Sequence, residues 1–551
     1  MSTRRPARKC YEGEEGQSRR VAVPVQSGVV GMLAIGLMLF GTGSAPAVDF
    51  NCPGGDVICL IDAINDANGT VAADTIILAA GTFNLTAVDN NTDGHNGLPS
   101  ITTDITIQGA GALTTTILRA PPSAPAFRIF HVAAAGKLTL NALTIAEGFV
   151  DGENGAGILN AGGDLTIIDS VIKGHLATNF ALHPSFGAGV FNDTGGNLTI
   201  TNSTVIDNTC NGPHGSAGLF NKGVAGIDNS SISQNAGFDC TGGIRNSGVM
   251  ALTNSTVGTN FMFEGASAIL NEGGGTLSIN NGTVAENQTT AFSTGGIVNL
   301  SGTVELRNTI LAGNHETSPE FSNCSGTITS SGNNVIGASL DGCVINDVPS
   351  DIRDIDVGIV DPFSDDGSPG NYHFPLATDS PAIDAGNAAD PGSGGDACEA
   401  TDQLGTPRPI DGDCDGDPIC DIGAIEFVPS VENVDTELTG TPDPSSFTFD
   451  PAPVPEGPAG TFTFTAEFCN VGVESLTCIR STTTTLTGGN ALVNRNTSTP
   501  ASVGSELSFQ LTGDYADGIL SPGECVEVTY VIGLAAKAPF QFFVSVLGAA
   551  D

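Results

Sequence analysis

Between residues 155 and 315 the chain repeats a short pattern of alternating apolar and polar positions. Six copies align, from "GAGILNAGGDLTIIDSVIKG" at Gly155 to "TGGIVNLSGTVELRNTILAGN" at Thr294. Each copy holds three short apolar runs, and the Asn/Gly turns between them suit the left-handed backbone positions that those two residues tolerate. Three short strands per copy predict one rung of a parallel β-helix, and stacked rungs predict a continuous solenoid.

Asparagines recur at fixed places in these copies. The first Asn of successive copies is spaced 25 to 32 residues from the next. Neighbouring rungs lie about 4.8 Å apart, so each amide can hydrogen-bond to the amide of the next rung. We therefore predict a structural role for a first column, Asn160, Asn192, Asn221, Asn246, Asn271 and Asn299, and for a second column, Asn202, Asn229, Asn254, Asn281 and Asn308. A third column follows at Asn208, Asn235, Asn260, Asn287 and Asn314.

The repeats end before the C-terminus. Weaker rungs extend them upstream, and a cap and terminal segment at 324–427 completes a predicted β-helix over 48–430. A Pro/Asp/Ser-rich stretch predicts a linker at 431–459, and alternating strands predict an antiparallel, Ig-like β-sandwich at 460–551. The predicted fold class is all-β, a right-handed parallel β-helix followed by this sandwich. With no Trp and four Tyr in the chain, a spacer or anchor is favoured over a carbohydrate-binding module.

The N-terminus has the pattern of an export signal. Six Lys/Arg residues lie within residues 1–27, an apolar run spans Gly28–Phe40, and Ala45-Pro46-Ala47 follows. This predicts a signal peptide over 1–47 with cleavage after Ala47. A single membrane anchor is the alternative, although the run is shorter than the ~20 residues that span a bilayer. We expect an exported protein, secreted or at the cell surface, with no transmembrane span in its mature form.

Cysteine usage agrees with export. Twelve of the 13 cysteines follow Cys10, and an even number in an exported chain predicts several disulfides. Three cysteines in 398–420 and three in 469–525 leave pairings open. The pairs that lie close in sequence are Cys52/Cys59, Cys210/Cys240, Cys324/Cys343 and Cys469/Cys478.

Charge and composition exclude two classes of protein. The formal net charge of the 551-residue chain is −42, whereas nucleic-acid binders need clustered Lys and Arg. A mean hydropathy of +0.10 with 14% charged residues argues against disorder. We therefore expect a folded protein with no nucleic-acid partner.

Two stretches resemble a known family. The segment "CLIDAINDANGTVAADTIILAAGTFNL" from Cys59 resembles the CSLREA-type leader of bacterial exported β-helix proteins. "SPAIDAGN" (380–387), "TDQLGTPRPIDGD" (401–413) and "DIGAIEF" (421–427) resemble the end of choice-of-anchor-Q proteins. The repeats between them are similar to those of polymorphic outer-membrane proteins. The resemblance implies a pectin-lyase-like, right-handed β-helix, a short helix before the first strand, and a surface location.

Enzymes on this fold act on polysaccharides, and their chemistry needs convergent groups. A hydrolase needs two carboxylates ~5–9.5 Å apart. Asp193 and Glu272 share a column but lie three rungs apart, roughly 14 Å. A lyase needs Lys or Arg beside a cation, and only 12 such residues follow residue 47. The histidines are scattered and predict no Ser-His-Asp arrangement; an enzyme site would lie in the loops near 176–186 or 211–216.

The segment "DGDCDGD" is the best candidate for metal binding. Its alternate carboxylates and Gly416 follow the first half of a D-x-D-x-D-G calcium loop, although the twelfth position is Ile422 and not Glu. We expect a structural Ca²⁺ at the end of the solenoid; the alternative is a solvated acidic turn stapled by Cys414 and Cys420. The candidate ligands are Asp411, Asp413, Asp415 and Asp417.

Two functions follow from these patterns. The first is an adhesin, structural scaffold or glycan-binding surface protein whose partners are extracellular polysaccharide or surface proteins. The second is a polysaccharide lyase or glycoside hydrolase of the pectin-lyase-like fold. The missing carboxylate pair and the regular rungs favour the first and leave the catalytic residues of the second unknown.

Overall fold

A computed structural model describes residues 47–550, apart from short gaps. The gaps are 121–123, 179–186, 213–214, 264–265, 291–293, 317–321, 338–341, 347, 354, 356, 361–366, 416, 497–498 and 517. The predicted signal peptide, apart from Ala47, lies outside the described residues, as do His183, His214, Gly416 and Asp517. Within the described part, no helix is long and apolar enough to cross a membrane.

The first face of the solenoid is a ladder of short parallel strands. The middle strands pair in register, so that Asn192 lies beside Asn221 and Asn221 beside Asn246. The sequence repeat predicts this register, because each copy supplies one strand. The strands are Phe130–Val132, Ile158–Asn160, Val190–Asn192, Leu219–Asn221, Ile244–Asn246, Ile269–Asn271, Ile297–Asn299 and Cys324–Ser330. Strand Cys343–Ile345 pairs with the last of them.

The second face contains two runs of parallel strands separated by a corner, and two long strands, Val249–Gly258 and Gly275–Ala285, pass through that corner. The first run is Asp49–Cys52, Asp74–Leu78, Asp104–Gln108, Lys137–Asn141, Asp164–Ile168, Asn197–Thr201, Val224–Asp228 and Gly302–Arg307. The second run is Gly81–Leu85, Thr115–Arg119, Thr144–Ala146, Val171–Lys173, Thr204–Ile206, Ser231–Ser233, Ile310–Ala312, Val335–Ile336 and Ile352–Arg353.

The third face is a seven-stranded parallel sheet. Its strands are Phe149–Asp151, Leu176–Thr178, Thr209–Asn211, Ala236–Phe238, Phe261–Met262, Gln288–Thr289 and His315–Glu316. The first and second faces share one apolar core, whereas Val150, Ala177 and Cys210 of the third face belong to a separate small cluster. A column of fully buried side chains from the first face runs through the shared core, and each contributes ~1.5–3 kcal/mol by burial: Ile158, Val190, Leu219, Ile244, Ile269 and Ile297.

A helix covers the first rungs of the solenoid. It spans Val57–Asn68 and begins at Asp56, whose carboxylate accepts a hydrogen bond from the Cys59 backbone N–H. Its inner face, which includes Leu60 and Ile64, is buried in the solenoid core. Strands Asp74–Leu78 and Gly81–Leu85 follow the helix, but strand Asp49–Cys52 precedes it, whereas the leader resemblance implies a helix before the first strand.

The C-terminal part is a sandwich of two four-stranded antiparallel sheets. One sheet contains Glu432–Asn433, Phe542–Ala550, Leu476–Leu486 and Glu506–Ser508; the other contains Leu438–Asp450, Thr461–Asn470, Cys525–Gly533 and Ala491–Leu492. A short 3₁₀ helix spans Gly513–Tyr515. Strand Leu438–Asp450 falls in the segment predicted to be a linker. It pairs on one side only, with Thr461–Asn470, and an edge strand tolerates the prolines that suggested a linker.

Candidate functional site

Two asparagine columns form hydrogen-bonded ladders along the solenoid. Asn192 is fully buried, and its Nδ2 donates to Asn221 Oδ1 at 2.8 Å. Asn260 Nδ2 donates to Asn287 Oδ1 at 2.9 Å in the same manner. Because each rung satisfies the amide of its neighbour, the corners are fixed without buried unpaired groups. The first column bonds continuously from Asn160 to Asn299, and the third from Asn208 to Asn314 and on to Asn323.

The second column has another role. Its residues have φ between 42° and 47°, the left-handed region in which Asn is tolerated: Asn202, Asn229, Asn254, Asn281 and Asn308. Asn254 Nδ2 donates to the carbonyl of Thr401 at 2.7 Å, and Asn308 Nδ2 donates to the carbonyl of Asp396 at 2.9 Å. Asn202 Nδ2 donates to Asp169 Oδ1, which stands at the same place one rung earlier, whereas Asn254 and Asn308 contact a distant part of the chain.

That distant part is the terminal segment, residues 367–427. The Gly370 N–H donates to Thr204 Oγ1 at 2.9 Å, and Thr256 Oγ1 donates to Gln403 Oε1 at 2.7 Å. Farther along, the Gly423 N–H donates to the Asn308 carbonyl at 2.9 Å. The segment therefore runs back over the corner of the second face across several rungs, whereas the sequence analysis expected a cap at the solenoid's end.

The acidic loop lies in this segment and meets a carboxylate that the sequence analysis did not select. Single oxygens of Asp384, Asp411 and Asp413 lie within 4.8 Å of one another. Asp384 Oδ2 also accepts the backbone N–H groups of Gly412 and Asp413 at 2.7 and 2.8 Å. These oxygen ligands suit a hard cation such as Ca²⁺.

The remaining predicted ligands lie outside this trio. Asp415 and Asp417 form a local turn, in which the Asp417 N–H donates to Asp415 Oδ1 at 2.8 Å. Asp384 stands in "SPAIDAGN", 27 residues before Asp411, so no local spacing pattern connects it to the loop. The sequence feature that could have identified Asp384 is its place in one of the three motifs of the terminal segment.

Burial strongly perturbs the carboxylates of this region. Burial raises the pKa of Asp384 to about 7, although the N–H donors of Asp413, Ile419 and Gly412 oppose the shift. Burial, together with the nearby charge of Glu426, raises the pKa of Asp421 to about 8. A carboxyl that prefers its neutral form gains most from a cation, because the cation stabilises the ionised form.

A buried ion pair lies in the same terminal segment as the acidic loop. Arg408 Nη1 lies 2.9 Å from Glu426 Oε2, and both side chains are fully buried. Arg408 also donates to the carbonyls of Asp421 and Gly423, and Asp402 Oδ2 accepts the Glu426 N–H. Asp402, Arg408, Asp421 and Glu426 are thus buried and partnered inside the terminal segment, whereas Asp413 is exposed.

Six disulfides connect the twelve cysteines of the described chain. Three join pairs that the sequence analysis named as close, Cys52–Cys59, Cys210–Cys240 and Cys324–Cys343. The proximity of Cys469 to Cys478 was misleading, because cross-strand pairing brings Cys469 opposite Cys525. A Cys414–Cys420 staple is also wrong, because the bonds formed are Cys398–Cys420 and Cys414–Cys478.

A second polar cluster lies beside the N-terminal rungs. The ring of His131 is buried, with Nδ1 2.9 Å from Ser100 Oγ and Nε2 3.1 Å from Asp93 Oδ2. Burial, and then the charge of Arg128, lower the pKa of His131, while Asp93 opposes them. A neutral ring that donates to the Asp93 carboxylate through Nε2 accepts the Ser100 hydroxyl at Nδ1. This arrangement was not expected from the sequence, because the loop that carries Asp93 and Ser100 has no repeat pattern.

Charged groups continue this N-terminal cluster. Arg128 is fully buried; its Nη1 donates to Asn96 Oδ1 at 2.7 Å and its Nη2 lies 3.3 Å from Glu153 Oε2. The other oxygen of Glu153 lies 2.6 Å from His95 Nδ1. The cluster therefore contains two carboxylates, two histidines, a serine and an arginine. The loop near 176–186, which the sequence analysis named as an enzyme site, lies mostly outside the described residues.

Comparisons with known proteins give little beyond this. No protein-family model and no curated protein matches the chain. One solved structure, titled "Crystal structure of pectate lyase Pel9A", matches at 15% identity and a TM-score of 0.42, covering 70% of this chain and 98% of that one. The parallel β-helix assignment rests on the strand register of this chain itself.

Proposed function

We propose that this chain is an exported scaffold or adhesin of the cell surface, whose solenoid faces bind extracellular polysaccharide or surface proteins. The observation that carries the proposal is the terminal segment, which is hydrogen-bonded along the solenoid and joined to the sandwich by Cys414–Cys478. Because the terminal segment is fastened to both the solenoid and the sandwich, a rigid scaffold is favoured over a protein whose parts move relative to one another. Six disulfides support an oxidising, extracytoplasmic location.

The resemblance to CSLREA-type and choice-of-anchor-Q proteins supports the same proposal. The residues that carry it, among them Asp384, Arg408 and Glu426, make buried contacts. They are thus suited to fastening the terminal segment. Nothing in their geometry resembles a substrate site open to solvent.

Calcium is part of this proposal. A Ca²⁺ ion held by Asp384, Asp411 and Asp413 would offset two of the three negative charges of these carboxylates, in a protein of net charge −42, and would fix the loop next to Cys414. Isothermal titration with CaCl₂ after chelation tests this, using the mature chain and D384N. Saturable binding that D384N abolishes is the expected result, and equal binding by D384N would exclude this site.

The scaffold proposal is tested with the mature chain on arrays of polysaccharides and surface proteins. The expected result is saturable retention on at least one of them, without release of product. Reducing ends or unsaturated uronates appearing in the same incubations would reject a pure binding role. A chain that binds none of the arrayed partners would reject the adhesin and leave an internal structural role.

A hydrolase acting on polysaccharide is the second candidate, because the contacts of His131 favour it. Ser100 and Asp93 lie on opposite nitrogens of that ring, and Glu153 pairs with Arg128 in the same cluster. We would assay S100A, D93N and E153Q against polysaccharides and their acetyl and methyl esters. Loss of product in these variants, but not in the surface control S301A, would support hydrolysis at this cluster.

A further inference from the structure

The sandwich contains an aromatic cavity that the scaffold role does not use. The cavity has a volume of 510 Å³ and lies between the two sheets. Phe464 stacks on Tyr530 with ring centroids 5.3 Å apart, and Phe542 packs edge-on at 5.8 Å from Phe464. Phe447, 47% exposed, stands at its rim. Cavities of this size and apolar lining are typical of small-molecule sites.

A second pocket adjoins the cavity and shares two of its lining residues. Phe462 and Phe540 line both the first cavity and a neighbouring one of 560 Å³, which is also lined by Lys537. Along one wall, strand Thr461–Asn470 contributes alternate residues from Phe462 to Phe468. Six residues of extended chain span ~20 Å, so the combined space is elongated.

The two ends of this space differ in charge. Phe449 pairs with Phe462 and Leu438 with Asn470, so Phe449 marks one end and Leu438 the other. Lys537 Nζ lies 4.8 Å from the Phe449 ring centroid, whereas Asp435 lines the cavity with Leu438. An anionic group is therefore attracted to one end and repelled from the other.

Lys537 is also available to a ligand. The other cations of the described sandwich residues are paired, Arg480 with Glu506 and Arg495 with Glu456, while no ion pair is found for Lys537. The large negative charge of the whole chain is screened within ~8 Å at physiological salt. A short-range contact with Lys537 therefore outweighs repulsion from distant carboxylates.

We propose that this cavity binds a long-chain carboxylate of the palmitate type, with the acyl chain along the phenylalanines and the carboxylate at Lys537. Apolar walls remove the chain from water, and the ammonium group fixes its direction. The inference goes beyond the scaffold function and does not rest on it.

Other occupants fit less well. A second copy would add a strand to the free edge of Leu438–Asp450, but that edge carries Pro442, Asp443 and Pro444, which hinder strand addition. A sugar needs several polar partners. Among the described residues that line the first cavity, only Asp435 and Tyr530 carry polar side-chain groups, and the Tyr530 hydroxyl already donates to Ser481.

The test is equilibrium binding of palmitate and of palmityl alcohol, measured by displacement of an environment-sensitive fluorescent fatty acid from the mature chain. We expect saturable binding of palmitate at one site. K537M should weaken palmitate about fivefold, the upper range for an exposed ion pair, and leave the alcohol unchanged. F447S should weaken both ligands. F263S on the solenoid is the matched control, because Phe263 is 50% exposed and remote in sequence.

Several results would overturn the inference. Equal palmitate affinity in F447S and F263S would show that the ligand binds elsewhere. An unchanged palmitate affinity in K537M would show that Lys537 does not contact the carboxylate of the ligand. Binding to anionic vesicles without binding of monomeric palmitate would indicate a membrane-docking surface. A dimer in sedimentation that F447S dissociates would indicate a second copy as the occupant.

Discussion

Cys414 and Cys478 are joined by a disulfide that fastens the acidic loop of the terminal segment to strand Leu476–Leu486 of the sandwich. Cys414 follows Asp413 directly, so the bond fixes one side of the candidate cation site. The terminal segment itself is held to the solenoid by contacts such as Thr256–Gln403. Solenoid, loop and sandwich are thereby connected in series.

Removing this bond should loosen both the loop and the sandwich. The disulfide spans 64 residues, and closing a loop of that length stabilises a fold by about 4 kcal/mol in the chain-entropy account. We expect the C414S/C478S double variant to unfold at lower denaturant concentration and to bind Ca²⁺ more weakly. Circular dichroism in guanidinium chloride, with and without Ca²⁺, measures both effects.

The matched control is the C52S/C59S double variant. That bond spans only seven residues, so its loss should cost about 2 kcal/mol, and it is remote in sequence from the acidic loop. Its Ca²⁺ affinity should equal that of the wild type. A Ca²⁺ affinity in C414S/C478S equal to wild type would separate the disulfide from the candidate site.

The repeating part of the fold can be predicted from the sequence because its contacts are periodic. Residues that align in neighbouring copies, such as Asn192 and Asn221, become partners in neighbouring strands. The terminal segment has no such period. Gln234 and Tyr372 are hydrogen-bonded across 138 residues, and only the folded chain brings them together.

Only part of the candidate site could be predicted from the sequence, because one of its residues comes from a distant stretch of the chain. Asp411 and Asp413 are selected by local spacing, whereas Asp384 joins them only because the chain folds back. Asparagine identity also proved insufficient to assign a role. Asn260 and Asn254 are six residues apart, yet one is in a ladder and the other, at φ 42°, reaches the terminal segment.

Ladder asparagines should be among the most sensitive polar residues of the solenoid. Asn260 Nδ2 donates to Ile232 O and Asn287 Oδ1, and its Oδ1 accepts from Asn235. N260A leaves buried partners unsatisfied at ~1–3 kcal/mol each, so we expect a loss of about 3 kcal/mol. Thermal and chemical unfolding measure it.

The exposed Asn197 gives the matched control N197A, which should change the unfolding free energy by less than ~0.5 kcal/mol. A similar loss of stability in both variants would refute the energetic role of the ladder.

His175 should make the solenoid sensitive to mild acid. It occupies the ladder position preceding Asn208, whose Oδ1 accepts the His175 N–H, and burial lowers its pKa to about 3. The unfolded chain takes up a proton near pH 6.5, while the folded one does so only near 3. Stability contributed by the neutral ring is therefore complete above pH 6.5 and declines as the pH falls towards 3, by at most ~5 kcal/mol.

The variant H175N tests this sensitivity, because asparagine fills the same column in the following rungs. The difference in unfolding free energy, H175N minus wild type, should increase steadily as the pH is lowered from 6.5 to 4. Guanidinium titrations at several pH values give the comparison. A wild type and a variant with parallel pH profiles would mean that His175 is protonated at no cost in the fold.

Asp384 should make the stability of the cation-free protein decrease as the pH rises. Its folded pKa of about 7 exceeds the ordinary 3.8, so the folded protein holds a proton that the unfolded chain has lost. Without a cation, stability must therefore fall as the pH rises from about 4 to 7. Bound Ca²⁺ favours the ionised carboxylate, so the stabilisation by Ca²⁺ should grow over the same range. Melting temperatures with millimolar CaCl₂ or EDTA should diverge with pH in the wild type and not in D384N, which keeps an uncharged group there. D390N, on an exposed residue of the same segment, should diverge like the wild type; a Ca²⁺ effect that persists unchanged in D384N would place the ion elsewhere.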